Sequence, residues 1–250
     1  MQLETVCAHL DSFLGISDIP DHPAALNGLQ VGNSGLVTRI ATAVDASLAT
    51  IEAAADDGAD LLIVHHGLFW DGNQPVTGRR YRRLRRLFDA DMAVYSAHIP
   101  LDVHPEVGNN AVLARALGVE IDGTVGVYRG HPVGISGKLD IRREALVARL
   151  DELLGCRIKL IPGGPERTGR VGIVTGDAGG EIEAARQAGL DTFITGEGAH
   201  HNYFDAVEGG INLILGGHYA TETWGVRALG THLEGRFGLP CTFIDYPTGL

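Results

Sequence analysis

Three short segments of the chain gather side chains of metal-ligand type. His65-His66-Gly67 follows the apolar run Leu61–Val64, and His98-Ile99-Pro100-Leu101-Asp102 follows Ala93–Ala97. The third, His218-Tyr219-Ala220-Thr221-Glu222, follows Ile211–Leu215 and the flexible Gly216-Gly217. All three share one syntax: an apolar strand, a bend, then a His with a second His or a carboxylate. Ligands in open α/β sheets collect beyond the carboxyl ends of strands, so this syntax sends the side chains to the productive edge. A turn beginning at His66 would aim both imidazoles into one cleft, and residues four apart on a helix, as His218 and Glu222 are, share a face. Four His and two carboxylates form a donor mix suited to Zn²⁺, Fe²⁺, Mn²⁺ or Ni²⁺. They are too many for one tetrahedral ion and enough for two, which predicts a paired site with a bridging carboxylate. Taken singly, each segment has a plainer reading: capping histidines at a sheet edge, a loop-ordering carboxylate, an intrahelical His–Glu contact.

The elements that must position these residues read as α/β. Leu3, Val6, Cys7, Leu10 and Leu14 recur at helical period and Gly15 ends the helix. Asn27-Gly28 offers a turn before a short extended piece at Leu29–Val31. Val37–Val44 then reads as a strand, Ala46–Asp57 as an Ala-rich helix capped by Gly58, and Leu61–Val64 as a short buried strand. Buried runs of that length alternating with helices indicate βαβ units and a mostly parallel sheet. The unit recurs: Ile51-Glu52-Ala53-Ala54, Gly58, Asp60 and Ile63 reappear at Ile182-Glu183-Ala184-Ala185, Gly189, Asp191 and Ile194, a constant shift of 131 residues. Upstream, Val171–Thr175 followed by Gly176-Asp177-Ala178 resembles Ile40–Val44 followed by Asp45-Ala46, with one residue of slippage. Two related lobes follow, the first running to about Asp122. His65 and His66 align with Gly196 and Glu197, so the fold itself does not demand histidines there.

Composition narrows the function classes. The chain has 250 residues, 44% hydrophobic and 20% charged, enough to fill a core and unlike a disordered tail. Its apolar runs are short, and its first residues lack the basic-then-apolar order of a signal peptide, so a soluble, cytoplasmic protein without membrane contact is expected. Lys plus Arg is 20 against 31 for Asp plus Glu, a net charge of −11 that argues against a general nucleic-acid or membrane-surface binder. Cys7, Cys156 and Cys241 lack C-x-x-C spacing and read as buried thiols of a reducing compartment. Arg79-Arg80-Tyr81-Arg82-Arg83-Leu84-Arg85-Arg86 is the one basic cluster; an amphipathic helix with a solvated Arg face is its plain reading, and phosphate or oligonucleotide contact near the metal edge its functional one. Gly176-Asp177-Ala178-Gly179-Gly180 reads as a turn of the repeat unit and His200-His201 as a peripheral helix start.

His65-His66-Gly67-Leu68-Phe69-Trp70, Ala97-His98-Ile99-Pro100-Leu101-Asp102 with Gly108-Asn109-Asn110, and Gly217-His218-Tyr219-Ala220-Thr221-Glu222 resemble the Nif-three-like dinuclear metal centre family, whose bacterial YbgI-like members often carry the description GTP cyclohydrolase I type 2 homologue. Asn27-Gly28-Leu29-Gln30-Val31-Gly32, Thr195-Gly196-Glu197 and Phe243-Ile244-Asp245-Tyr246-Pro247 also look like that family, so the resemblance covers nearly the whole chain in order. It implies that His65, His66, His98, Asp102, His218 and Glu222 surround two divalent transition-metal ions (Zn, Fe, Mn or Ni) per chain, with Asp102 and Glu222 bridging or shared. It also implies two similar α/β lobes with the metal site at the cleft between them: residues 1–122 with most ligands, 123–210 related by the repeat, and a segment 211–250 returning to complete the site. A toroidal homohexamer, a trimer of dimers, is implied as well. Tyr219 stands where some members have a second His.

The expected function is a metal-dependent hydrolase of a nucleotide-like small molecule, by GTP cyclohydrolase-type or phosphoester chemistry. Two ions would lower the pKa of a bridging water, and His98 or His201 could move the proton. The alternative is a metal delivery or sensing protein with the same ligands and no turnover; a nucleic-acid-binding ring using Arg79–Arg86 is a weaker third.

Overall fold

The computed structural model describes residues 1–250. In chain order the elements are α1 (Leu3–Leu14), β1 (Gly28–Val31), β2 (Ile40–Asp45), α2 (Leu48–Asp56), β3 (Leu61–His66), α3 (Gly78–Asp89), β4 (Ala93–Ser96) and α4 (Ile99–Asp102). There follow α5 (Asn109–Leu117), β5 (Glu120–Tyr128), β6 (His131–Arg142), α6 (Arg143–Leu154), β7 (Lys159–Pro162) and β8 (Arg167–Ile173). The chain ends with α7 (Ile182–Gln187), β9 (Thr192–Thr195), α8 (Asn202–Gly209), β10 (Asn212–Leu215), α9 (His218–Phe237) and β11 (Cys241–Phe243). It packs as two α/β units, Met1–Val107 with Gly225–Tyr246, and Gly108–Trp224 with Pro247–Leu250. The long helix α9 starts in the second unit and continues in the first. No helix is long and apolar enough to cross a membrane.

The first unit is built on a sheet of order β1-β4-β3-β2-β11, parallel throughout except for the antiparallel edge strand β1. Its central strands are apolar on both faces because helices cover both, the pattern expected of parallel sheets. Ser47 starts α2 with a capping box: its hydroxyl accepts from Thr50 N while Thr50 Oγ1 accepts from Ser47 N. Ile51 and Ala54 of that helix pack with Ala41, Ala43, Leu62, Val64, Leu87 and Met92. The Arg-rich segment forms α3, with Leu87 buried and most of its arginines outward, as an amphipathic helix requires. The C-terminal segment returns here as β11, pairing Cys241 with Ile40. Burial pushes the Cys7 and Cys241 thiols up to about 11, with nearby Asp11 and Glu234 adding to it, which keeps them protonated and inert.

The second unit has the order β5-β6-β8-β9-β10-β7. Only β8, β9 and β10 run parallel; the hairpin β5–β6 and the edge strand β7 are antiparallel, so this sheet is mixed where a mostly parallel one was expected. Successive strand residues face opposite sides. Val171, Ile173, Ile194 and Ile214 pack under α5 and α6, while Phe193 and Leu213 pack with α7 and α8. Leu113, Ala114 and Leu117 of α5 belong to this core. The unit therefore begins at Gly108, ahead of the Asp122 boundary read from the sequence.

The repeat is visible in the hydrogen bonds. Ile40 pairs with Leu61 and Thr42 with Ile63; at the same shift Val171 pairs with Thr192 and Ile173 with Ile194. Asp60 accepts from Thr38 N and Arg39 N at 2.8 and 3.2 Å, and its counterpart Asp191 accepts from Gly169 N and Arg170 N, both at 2.8 Å. The single-residue slip enters only beyond the strands, where Asp45 lies opposite His66 but Asp177 lies opposite Glu197. Each aspartate ties the start of one strand to its parallel neighbour. Asp60→Ala and Asp191→Ala should therefore each lower unfolding free energy by about 1–3 kcal/mol in chemical denaturation, leaving metal content unchanged. A change under a few tenths would contradict the shared structural role.

Candidate metal centre

In the first unit the parallel strands β2, β3 and β4 end at one edge, and the chemistry collects there. β3 ends in His65 and His66, β2 ends in Asp45, and His98 follows β4 at the start of the one-turn helix α4. The ring centroids of His65 and His66 are 4.7 Å apart, and His98 stands 4.9 Å from His65. Ligand nitrogens of the three lie within 4.8 Å of one another. Asp102 Oδ1 is 3.6 Å from His65 Nε2. Trp70 stands edge-on to His98, centroid to centroid 4.9 Å.

Each of these imidazoles is held by its other nitrogen. His65 Nδ1 lies 3.0 Å from Ala97 O, His66 Nδ1 is 2.9 Å from Asp45 Oδ1, and His98 Nδ1 is 2.9 Å from Asp21 Oδ1. A carbonyl or carboxylate oxygen can only accept, so each Nδ1 carries a proton, and a ring with no second proton presents its lone pair at Nε2. Asp21 also accepts from Asn27 Nδ2 and from Ile99 N, while Asn27 Oδ1 accepts from His98 N. Burial opposes ionisation of Asp21, but hydrogen bonds from His98, Asn27 and the His22 N–H, with the charge on His98, outweigh it and hold the carboxyl below its ordinary value. Gln30 Oε1 accepts from Leu68 N, fixing the turn after His66. Asp21, Asn27 and the edge strand β1 with its Gln30 are thus the cradle of the cluster.

In the second unit His218 opens α9, and Glu222 one turn on brings Oε2 to 3.2 Å from His218 Nε2. Glu197 Oε1 accepts from His218 Nδ1 at 2.6 Å. The repeat explains this divergence. Gly176, where the one-residue slip enters, has φ +71°, and a Cβ there would run into the Glu222 carboxylate. Gly196, at the position of His65, lets α9 approach: a Cβ would meet Thr221 Oγ1 at 2.7 Å and His218 Cα at 2.8 Å. Glu197, at the position of His66, orients a histidine instead of being one. Burial alone would lower the His218 pKa, but Glu222 and Glu197 outweigh it and push it up to about 9.

Imidazoles whose Nδ1 is held by an acceptor and whose Nε2 is left for a ligand, with a carboxylate beside them, fit a borderline divalent transition ion; backing acceptors of this kind orient metal-bound histidines generally. A Duf34/NIF3 (NGG1p interacting factor 3) profile matches residues 1–248. The chain belongs to this family. A Deinococcus radiodurans relative described as GTP cyclohydrolase 1 type 2 homolog is 45% identical over 243 residues, covering 96% of this chain and 92% of its own. An Archaeoglobus fulgidus protein with the same description is 41% identical over the full length of both. Among solved structures, the protein ybgI, described as of unknown function, superposes with TM-score 0.93 at 37% identity, and a Thermus thermophilus protein with 0.88 at 40%, each covering both chains completely.

Of the expected ligands, the first unit brings His65, His66, His98 and Asp102 together and the second brings His218 and Glu222 together. The proton-shuttle expectations fare differently. His98 has Nδ1 on Asp21 and Nε2 in the cluster, which leaves it no nitrogen for a shuttle while it serves as a ligand. His201 is exposed at the start of α8, in a hollow shared with Glu183, Arg186 and Glu208. Sequence reasoning missed Asp21, Asp45 and Glu197 as orienting groups; each lies on or beside a motif of the chain, but none has a metal-ligand spacing of its own.

Two outcomes follow. Asp21→Ala removes the acceptor behind His98 and should weaken metal binding about 10- to 100-fold in a competition titration, with the fold retained by circular dichroism; unchanged affinity would contradict the orienting role. The raised His218 pKa means its proton is held up to about pH 9 in the metal-free chain and must leave when Nε2 takes an ion. Metal uptake at pH 7 should therefore release a proton that His218→Ala does not release, affinity should fall as pH drops, and that release should vanish above about pH 9. Calorimetry in buffers of different ionisation enthalpy reads it directly.

Proposed function

We propose that the protein is a dinuclear metal-dependent hydrolase of a nucleotide-like substrate. The observation that carries this reading is the set of four histidines whose Nδ1 atoms are all backed by oxygen acceptors, leaving the Nε2 atoms as donors. His65, His66, His98 and Asp102 supply enough donors for one ion. His218 and Glu222 alone are two short of a tetrahedral set, so a second ion needs a carboxylate in common with the first. As the resemblance implies, the six residues would hold two ions, with Asp102 or Glu222 shared. When bound, such ions would polarise the substrate and lower the pKa of a water toward neutrality.

The chain's own residues do the rest. Asp45, Asp21, Glu197 and the Ala97 carbonyl keep the Nδ1 protons in place and the rings aimed. Trp70, about one-third exposed beside His98, offers an aromatic edge to a planar base. Exposed His22, with its ring 6.2 Å from His98 and 6.3 Å from Trp70, is the imidazole we assign to proton transfer at the rim. The descriptions of the relatives favour cyclohydrolase-type attack on a purine ring with loss of formate; phosphoester cleavage would need the same groups. The homohexameric ring and cytoplasmic location remain part of this reading on the strength of the resemblance.

The test is to purify the chain without chelator, count metals, and assay formate and phosphate release from purine nucleotides. About two ions per chain with turnover, loss of metal and turnover in His65→Ala and Glu222→Ala, and loss of turnover alone in His22→Ala are expected. Full metal loading with neither product would favour delivery or sensing. No metal after anaerobic reconstitution would remove both readings.

A further inference from the structure

The six arginines of α3 are not equivalent. Arg79 and Arg80 pair with Asp71, Arg85 with Asp89 and Arg86 with Asp56, and Arg82 points into solvent. Arg83 alone is half-buried without an ion pair or hydrogen bond. A guanidinium withdrawn from water without an acceptor is an unmet demand, because its five donors are left under-solvated. Arg83 lines a small hollow with Leu68, Phe69, Asp71, Arg79, Arg80 and Leu84. Leu68 and Phe69 continue directly from His66-Gly67, so the hollow and the histidine cluster are walled by the same turn.

The electrostatics point the same way. Burial and the charge of Arg79 both disfavour the cation at Arg83, while Asp71 and Asp45 favour it. Asp45 is the carboxylate that holds His66. Three arginines facing one hollow, two of them paired with the Asp71 that also lines it and the third, Arg83, without an ion pair, at the rim of a site read as acting on nucleotides, describe half of an oxyanion site. Guanidinium forks match phosphate oxygens two at a time, and such charge-assisted bonds are the strong ones.

We propose that Arg83, assisted by Arg79, is the phosphate-binding residue of the His65–His66–His98 site and reads a phosphoryl group of its substrate. This deepens the hydrolase reading and rests on it for the identity of the substrate, but not for the existence of the anion site.

The experiment titrates inorganic phosphate into the full chain at fixed ionic strength by calorimetry, both zinc-loaded and metal-free, with acetate as the carboxylate arm and metal content measured for every variant. Arg83→Gln should weaken phosphate about tenfold or more in both states without loss of metal. Arg83→Lys, which keeps the charge and loses the fork, should fall between, Arg82→Gln should stay within about twofold of the parent, and acetate should bind more weakly than phosphate throughout. Equal phosphate affinity in Arg83→Gln and the parent, an equal loss in Arg82→Gln, or no phosphate binding by the parent would overturn the proposal. A chain that takes up no metal yet binds phosphate through Arg83 would sink the hydrolase reading and leave the anion site standing.

Discussion

An imidazole can give a metal only one nitrogen, and the hydrogen bond on the other nitrogen decides which. That constraint organises this molecule. Four rings in two units each have an oxygen acceptor on Nδ1, drawn from a backbone carbonyl, Asp45, Asp21 and Glu197. The parallel strands of the first unit end at a common edge because βαβ crossovers demand it, and the segment carrying Asp21, Asn27 and, in β1, Gln30 is pinned against that edge by hydrogen bonds to His98 N, Ile99 N and Leu68 N. Fold and loop together convert flexible side chains into a fixed array, so binding an ion orders little that is not already ordered.

The internal repeat shows how one scaffold came to supply two different contributions. Strand pairing and the aspartate tie at Asp60 and Asp191 are kept in both copies, which marks them as requirements of the βαβ unit. At the strand ends the copies part. The first copy carries His65, His66 and Asp45, two donors and an orienting carboxylate. The second carries Gly196, Glu197 and Gly176, two small residues that admit α9 and the Glu222 carboxylate, and one carboxylate that orients His218. Donors in one copy are matched by space in the other.

Much of this was legible in the residues. The strand–bend–His syntax pointed to the six candidate ligands His65, His66, His98, Asp102, His218 and Glu222, because strand ends and ligand types are both short-range properties. The repeat was readable from Ile51 and Gly58 recurring at Ile182 and Gly189, and the Arg79–Arg86 cluster from its helical spacing. What escaped were contacts between residues distant in the chain. Asp21 reaches His98 across 77 positions, and nothing around it announces a metal site. The antiparallel hairpin β5–β6 was missed because its exposed face breaks the buried-run pattern that betrays parallel strands, and α5 was placed in the wrong unit because its partners Leu146 and Val171 lie far downstream. Arg83 differs from Arg82 only in burial, which spacing does not encode.

The claim on which the rest depends is that the four histidines bind metal through Nε2 with Nδ1 protonated. Long-range proton–nitrogen correlation spectra of the ¹⁵N-histidine-labelled chain, with and without zinc, read this directly. The account predicts that His65, His66, His98 and His218 each show a protonated Nδ1 in the zinc-loaded chain, while their Nε2 resonances move to the metal-bound range on loading. Ligation through Nδ1, or Nε2 resonances unmoved by zinc, would contradict it.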